Sequence, residues 1–201
     1  MKVFAIDPGT TKSGWCLLED GAPTDWGWDD NENLLMVIKG GRVFTTPASD
    51  FNRLSQVLGG TGDRWHFVPV PLVIEDIGNY GTAVGRDTFE TVRWTGRFQQ
   101  AHDGQTTYIL RPTIKTHLCG VASAKDGNVR QALIDRFGGN EVAVGGKKCQ
   151  TCKGKGWKGT GRPVCPECDG DKYETPPGVL HGISGHSWSA LAVGVTYLDL
   201  R

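Results

Sequence analysis

Two carboxylates that end short apolar runs are the side chains best placed for chemistry in this sequence. Asp7 follows the apolar run at residues 3–6 and precedes a Pro-Gly turn, and Glu75 follows the run at residues 72–74. Such runs predict buried strands, and an acid at the exit of a buried strand is costly without a partner. Either acid alone is best interpreted as a satisfied surface group. As a pair, they predict a divalent-metal site on the rim of an α/β sheet.

Four cysteines form a second group with metal-ligand spacing, arranged as two CxxC pairs: Cys149, Cys152, Cys165 and Cys168. Two CxxC turns can present four thiolates to one point and close a tetrahedral Zn²⁺ site. Glycines after each pair free backbone amides to donate to the sulfurs. We therefore predict one structural Zn²⁺, with disulfides or redox chemistry as the alternatives. The stretch also resembles half of the zinc-binding region of DnaJ-type co-chaperones, over too short a length to carry that function.

Charge is balanced over the whole chain but segregated along it. Lys plus Arg and Asp plus Glu each number 22 among 201 residues, which at first argues against a nucleic-acid partner. However, every charged residue from 13 to 38 is acidic, and every one from 147 to 162 is basic. Because segregated charge can give a neutral molecule a basic binding face, DNA is not excluded as a partner.

The length and hydropathy of the chain suit one soluble domain with an insertion. No stretch approaches the roughly 18 apolar residues of a membrane span. The apolar start is too short for a signal peptide and lacks its cleavage site. We therefore expect a cytoplasmic protein with no membrane partner.

Alternating strands and helices are predicted to position these residues. Apolar patterning predicts strands at 13–19, 42–46, 71–75 and 106–110 besides the first one. It predicts helices at 31–39, 49–58, 83–101 and 184–198, and a further helix carrying Val129, Leu133 and Phe137 on one face. The Gly-, Lys- and Cys-rich stretch at 139–178 interrupts this α/β pattern.

Five segments, taken in order, resemble the RuvC-type Holliday-junction resolvases of the ribonuclease H-like superfamily, closest to the phage and prophage branch. They are Ile-Asp-Pro-Gly-Thr at 6–10, Val-Ile-Glu at 73–75, Arg-Pro-Thr-Ile-Lys at 111–115, Gly-Val-Ala-Ser-Ala-Lys at 120–125, and residues 186–194. The resemblance implies a ribonuclease H-like nuclease domain over 1–201, built on a mixed five-stranded sheet flanked by helices. A small zinc-ribbon or knuckle insertion at 145–175 would interrupt it, and its basic rim would extend the DNA surface.

The resemblance also implies an active site. The family holds two divalent cations with two strand-end acids and two last-helix residues three apart, positions that fall here on Asp7, Glu75, His186 and Ser189. Two Mg²⁺ or Mn²⁺ ions per site, with Asp7 bridging both, would then hydrolyse a phosphodiester. Serine supplies no charge, so the fourth ligand is open. Asp76 and Asp126 are candidate substitutes, neither of them well placed.

Further residues match the family's DNA contacts. Lys125 resembles its phosphate-contacting catalytic lysine and Lys115 is a second candidate, although both are also interpretable as solvated lysines. Tyr80 falls where the family places an aromatic wedge that stacks on a base. A stripe along the predicted helix would follow a DNA strand or be a solvated face, and its members are Arg86, Arg93 and Arg97.

The expected function is structure-specific cleavage of Holliday junctions or other branched DNA. A homodimer is expected, because a two-fold dimer presents two sites to the two symmetric strands of a junction. The alternative is a non-catalytic branched-DNA-binding protein that has lost turnover at Ser189. A more distant alternative is an actin-like ATPase or a sugar kinase. The segment Asp-Pro-Gly-Thr-Thr resembles the phosphate loop of those proteins, but their fold needs roughly twice this length.

Overall fold

A computed structural model describes residues 1–39, 70–78, 81, 84–102, 104–156 and 164–201 of the chain. The strand predicted at 42–46, the helix predicted at 49–58 and the proposed wedge Tyr80 lie outside these residues. The described chain forms two compact units, Met1–Val129 with Ser184–Arg201, and Arg130–Ile183.

Five strands of the first unit form one mixed sheet in the order β3-β2-β1-β4-β5. They are β1 (Lys2–Asp7), β2 (Lys12–Glu19), β3 (Ala22–Asp30), β4 (Leu72–Asp76) and β5 (Thr106–Leu110). β1 pairs antiparallel with β2 and parallel with β4, β2 pairs antiparallel with β3, and β4 pairs parallel with β5. The mixed five-stranded sheet predicted from the sequence is confirmed.

Helices account for most of the remaining regular structure that is described. They are α1 (Asn31–Lys39), α2 (Arg86–Ala101), α3 (Arg111–Cys119), α4 (Asp126–Arg136) and α5 (Ser187–Asp199), with a π-helical turn at Asn140–Val144. α5 begins three residues later than predicted. The reason is Gly185, whose left-handed φ of 54° is incompatible with a right-handed helix. None of the described helices has the length and apolar character needed to cross a membrane.

Strand β3 is one of the elements that the sequence did not predict, together with α3 and the π-helical turn at Asn140–Val144. It contains three acidic residues and two tryptophans but no apolar run, and it forms by pairing along the whole of β2, with one irregularity at Leu17 and Leu18. The stability of β3 therefore comes from pairing with a neighbouring strand. The sequence-based prediction of strands relied on apolar runs, and β3 has none.

The two faces of the sheet are covered by different helices. Phe4, Ile6 and Ile74 belong to a buried cluster with Leu34 of α1 and Phe98 of α2. Since side chains alternate along a strand, the odd-numbered residues of β1 face the other way, where α5 packs on β1, β2 and β4.

A glycine sets how closely α5 lies on this second face. A Cβ atom on Gly194 would lie 2.4 Å from Leu18 Cδ1 and 3.1 Å from Ala5 Cβ. The close approach brings the start of α5 to the same sheet rim at which β1 and β4 end.

The sequence indicates Val84, Phe89, Val92 and Phe98 as the apolar residues of the helix predicted at 83–101, and the structure buries only the last of them. Phe98 is buried as expected, together with Thr95. Phe89 and Val92 are 59% and 49% exposed, however, as is Val84 before the helix at 44%. Only the last turns of α2 therefore contribute to the described core.

Candidate functional site

The two predicted strand-end acids lie on neighbouring parallel strands. Ile6 pairs with Ile74 across β1 and β4, and Asp7 and Glu75 are the next residues along each strand. Adjacent strands lie about 4.8 Å apart, and in-register residues present their side chains on one face. Both acids are buried, at 9% and 8% exposure. The fold therefore places two carboxylates side by side at the C-terminal edge of the sheet.

The start of α5 brings both last-helix candidates to Asp7. Nδ1 of His186 lies 3.0 Å from Oδ2 of Asp7, and the Ser189 hydroxyl also hydrogen-bonds Asp7. Gly14 of β2, which pairs with Asp7, makes room for this approach. A Cβ on Gly14 would lie 2.4 Å from the His186 carbonyl oxygen. The sheet rim and the helix start thus form one site with Asp7 at its centre.

A buried polar network supports the loop that follows Asp7. The Ser13 hydroxyl accepts a hydrogen bond from the Gly9 amide at 3.1 Å and donates to the Asn31 side chain at 2.6 Å. The Asn31 amide group in turn donates to the Gly9 carbonyl at 2.9 Å. Because Ser13 and Asn31 are each 1% exposed, this network ties the loop to β2 and to the first residue of α1.

Arg111 is a site residue that the sequence reasoning missed. Its guanidinium donates to Glu75 Oε1 at 2.7 Å and to Asp126 Oδ1 at 2.7 Å. Arg111 directly follows β5, which lies in parallel beside β4, so a cation at this position must lie near the end of β4. The sequence signal was therefore present, as a charged residue directly after a strand, where Glu75 lies near the end of the neighbouring one.

Asp126 belongs to the same charge network as Arg111 and Glu75. Lys115 Nζ also approaches Asp126 Oδ1, at 3.3 Å. Burial alone would raise the pKa of Asp126, but the contacts with Arg111 and Lys115 outweigh it and lower the pKa. Asp76, the other substitute considered, accepts the amide of Ile77 at 2.9 Å. The structure gives neither acid a contact with Asp7.

Burial raises the pKa of both central carboxyl groups. The pKa of Glu75 is raised to about 7 by burial and then by the negative charge of Asp7, with Arg111 opposing. Burial also raises the pKa of Asp7, while His186, Arg111 and Ser189 oppose it. Two neighbouring buried carboxyls with raised pKa values lack compensating positive charge. Oxygen ligands short of positive charge fit a hard divalent cation.

The remaining predicted contacts are spread over other surfaces. Arg86 and Lys125 are exposed, and the Lys125 carbonyl accepts the first amide hydrogen bonds of α4. Arg93 pairs with Glu90 at 2.7 Å, while Arg97 approaches Glu32 at 3.6 Å and stacks on Trp94. Exposed pairs of this kind are weak and can be exchanged for phosphate contacts.

The four cysteines converge on one point in the second unit. Cys149 and Cys165 sulfurs are 3.8 Å apart, Cys152 and Cys168 sulfurs are 3.7 Å apart, and all four lie within 4.8 Å of one another. Sulfurs at about 2.3 Å from a tetrahedral zinc ion stand about 3.8 Å apart, whereas a disulfide requires about 2.05 Å. Among the described residues, this is the one group of three or more His, Cys, Asp or Glu side chains that converges as a metal-ligand set.

The backbone of the two cysteine turns repeats. Lys153 and Gly154 after the first pair, and Asp169 and Gly170 after the second, all have left-handed φ values between 46° and 87°. This conformation turns amides toward sulfur, and the Gly156 amide donates to Cys152 Sγ at 3.3 Å. The predicted role of the glycines is thus visible at the first pair.

Electrostatics within the cysteine cluster favour a bound cation. Burial would raise the pKa of Cys152, but hydrogen bonds from the Gly156 amide and the Cys168 thiol lower it to about 6. Burial and the neighbouring thiols raise the pKa of Cys168 to about 12. The four thiols therefore cannot all ionise together unless positive charge is supplied, as a zinc ion would do.

Comparison with known proteins locates the fold. No protein-family model matches the sequence, and no curated protein matches it. Among solved structures, the chain has the fold of a RuvC protein. The RuvC structure of Thermus thermophilus aligns with a TM-score of 0.52 and 16% identity, over 100% of this chain and 96% of that one. The same organism's RuvC in complex with a Holliday junction substrate aligns with a TM-score of 0.50 and 16% identity, over 98% and 93%.

Proposed function

We propose that this protein is a divalent-metal-dependent endodeoxyribonuclease that cleaves Holliday junctions or other branched DNA. The observation that carries the proposal is the pair of buried carboxylates on neighbouring strands, with His186 in contact with Asp7, at the rim of a RuvC-like sheet. A structure of this fold, T. thermophilus RuvC, is described with a Holliday junction substrate. The same substrate class is therefore proposed for this chain.

The residues of the rim suit phosphodiester hydrolysis. Asp7, Glu75 and His186 would hold two Mg²⁺ or Mn²⁺ ions, with Asp7 shared and Ser189 at the fourth position. When bound, such ions supply an activated water and stabilise the leaving 3′-oxygen. Arg111 orients the Glu75 carboxylate. When metal ions bind, Arg111 must share that carboxylate with them or release it. Lys125, exposed at the start of α4, would bind a phosphate of the DNA strand.

The other expectations complete this proposal. Cys149, Cys152, Cys165 and Cys168 would hold one structural Zn²⁺ in an insertion at 145–175 of a nuclease domain covering 1–201. Tyr80, Lys115 and the arginine stripe of α2 would contact the DNA. The enzyme would act in the cytoplasm as a homodimer, and light scattering of the free and DNA-bound protein tests the dimer. Placement in the phage and prophage branch stays a prediction.

A cleavage assay on a labelled four-way junction with Mg²⁺ or Mn²⁺ tests the activity. We expect Asp7→Asn and Glu75→Gln to lower the rate at least about 100-fold, since even partners of metal ligands are worth 10- to 100-fold. Asp135→Asn is the matched control, because Asp135 is exposed and its side chain accepts from Gln131. Undiminished cleavage by Asp7→Asn would locate the active site elsewhere.

A second function, junction binding without turnover, is favoured by two observations. Ser189 brings a hydroxyl where the family has a charged ligand, and Glu75 is held by Arg111 at 2.7 Å. A protein of this kind would bind the four-way junction yet leave it intact at every Mg²⁺ or Mn²⁺ concentration. Measuring binding and cutting on the same labelled junction separates the two functions.

A further inference from the structure

Trp28 is an exposed aromatic residue beside the candidate active site, and no role described above uses it. It is 54% exposed, whereas Trp15 and Trp188 are 5% and 8% exposed. Leaving an indole in water forgoes much of the burial free energy of a large apolar side chain. We infer that Trp28 stacks on an unpaired nucleobase of the DNA strand entering the site. This inference rests on the proposed nuclease function.

The sheet register places Trp28 on the same face of the sheet as Asp7. Asp7 pairs with Gly14 across β1 and β2, and Gly14 pairs with Trp28 across β2 and β3. Directly paired residues present their side chains on one face, and two strand spacings amount to about 10 Å. Asp7 and Trp28 therefore stand in one row, on the two sides of a glycine that has no side chain.

His186 fills the space above that glycine and touches both neighbours. Its Nδ1 lies 3.0 Å from Asp7, and its ring centroid lies 6.4 Å from that of Trp28 with the planes at 32°. The proposed metal ligand is thus flanked by a carboxylate on one side and an indole on the other. A nucleotide whose phosphate binds the cations that Asp7 is proposed to hold would have its base within reach of Trp28.

One cation lies beside Trp28, within a segment whose other charged residues are acidic. Lys12 Nζ lies 4.6 Å from the centroid of the Trp28 ring and 3.6 Å from Asp30. Lys12 remains 42% exposed, so its contact with Asp30 is of the weak, exchangeable kind. An indole with an adjacent, partly exposed cation combines the two features by which proteins bind single-stranded nucleic acid, stacking and phosphate neutralisation.

The stacking surface implies a preference for unpaired nucleotides. In a duplex the faces of a base are covered by its neighbours, so an aromatic side chain reaches a face only where the bases are unstacked or at an end. Branched DNA offers such bases at its branch point. Trp28 would therefore discriminate branched or single-stranded segments from continuous duplex, in addition to any contribution by Tyr80.

Substitutions at Trp28 test this inference through DNA binding without added divalent cation, so that cleavage does not interfere. Trp28→Phe keeps a flat ring, Trp28→Leu keeps apolar bulk beside His186 without a π face, and Trp28→Ala removes both. We expect Leu and Ala to weaken binding of a fluorescent oligonucleotide carrying unpaired bases by about 5- to 150-fold, and Phe to retain most of it. Binding of a fully paired duplex should change less than about twofold.

A second readout reports the contact directly. A 2-aminopurine placed among the unpaired bases should lose fluorescence on binding the wild type and Trp28→Phe, and keep it on binding Trp28→Leu. Thermal melting of each variant verifies folding, and the Phe and Leu pair decides the question even where Trp28→Ala does not fold.

Three results would overturn the inference. Equal affinities for Trp28→Leu and wild type would reduce Trp28 to packing against His186. If the substitutions weakened binding of paired and unpaired DNA equally, Trp28 would serve to maintain the structure of the binding surface and would not stack on a base. If the wild type cleaves branched DNA in either case, the proposed nuclease function stands while this inference fails. A wild type that binds no branched DNA removes both.

Discussion

The cysteine cluster and the sheet rim are two candidate metal sites assembled in opposite ways. The four sulfurs already lie within 4.8 Å of one another, and they come from two turns 16 residues apart. At the rim, Asp7 and His186 are 179 residues apart, and Glu75 is engaged by Arg111. Four cysteine sulfurs that are already close together suit a permanently bound structural ion that stabilises the fold. A rim in which an arginine competes for a ligand suits ions that bind with the substrate.

The largest effect expected from this comparison is on the cysteine cluster. Cys165→Ser should abolish the zinc content of the purified protein and unfold much of residues 130–183, because binding a structural zinc ion is worth roughly 10–16 kcal/mol in small zinc-dependent folds. Metal analysis gives the first result, and hydrogen exchange or limited proteolysis gives the second.

Cys119→Ser is the matched control, since Cys119 is a lone, partly buried cysteine outside the cluster. Its zinc content should equal that of the wild type. If the wild type prepared without chelator contained no zinc and still kept residues 130–183 folded, the cysteine cluster would not be a structural zinc site. The contrast drawn here between the two sites would then fail.

At the rim, the pKa of Glu75 predicts how stability depends on pH. Its pKa rises from an ordinary 4.5 to about 7 in the folded protein, so the unfolded chain releases this proton first as the pH rises. Stability from this group is therefore complete below about pH 4.5 and is lost as the pH rises through about 7, by about 3 kcal/mol in the absence of divalent cations.

Chemical denaturation at pH 5 and pH 8 checks this slope, with Glu75→Gln as the variant that should flatten it. Bound Mn²⁺ should offset the loss, so the rise in melting temperature on adding Mn²⁺ should be larger at pH 8 than at pH 5. A Mn²⁺ effect independent of pH would mean that Glu75 is not a ligand.

Arg111→Gln tests whether the Arg111 guanidinium competes with metal ions for Glu75 at the rim. Without its partner, Glu75 titrates at higher pH, so metal binding near neutral pH should not improve. At pH 9, above the pKa of about 7 that Glu75 has in the wild type, Mn²⁺ affinity should rise at least about tenfold, because charged hydrogen bonds contribute about 1.5–3 kcal/mol. Isothermal titration calorimetry measures both affinities.

Arg93→Gln serves as the control, because Arg93 is an exposed arginine paired with Glu90 on α2. It should leave Mn²⁺ affinity unchanged at both pH values. Weaker binding by Arg111→Gln at pH 9 would instead show that Arg111 holds the ligand in place for the metal.

The smallest effect is expected at Ser189. Ser189→Asp adds a carboxylate next to Asp7, which should lower the Mg²⁺ concentration needed for half-maximal cleavage several-fold and lower the melting temperature in metal-free buffer. Ser184→Asp, on an exposed residue before α5, should do neither. An unchanged Mg²⁺ requirement would exclude Ser189 from the ligand shell.

The two sites also differ in how far the sequence predicts them. The cysteine turns are local, so spacing alone predicted their convergence and the glycines predicted the turned amides. Asp7 and Glu75 could be predicted as strand-end acids because apolar runs indicate the strands that carry them. That they lie together depends on β1 pairing in parallel with β4, a long-range pairing that no local pattern encodes.

What the sequence did not reveal depends on partners distant in the chain. Arg111 becomes a site residue only because β5 lies beside β4, and Asp126 joins it only through the position of α4. Trp28 was hidden because β3 has no apolar run of its own and exists by pairing with β2. Register and strand order, rather than residue type, decide the roles of these three residues.

Gly14 offers a way to disturb the candidate site without replacing any of the residues proposed to bind metal. The distance between α5 and the rim is fixed by a missing atom, because a methyl group there would meet the His186 carbonyl oxygen at 2.4 Å. Gly14→Ala should therefore move the helix start outward, with every ligand still present in the chain. Since misplacement by about 1 Å can cost about 100-fold in rate, one methyl group would yield an inactive protein of complete composition, suited to trapping DNA uncut.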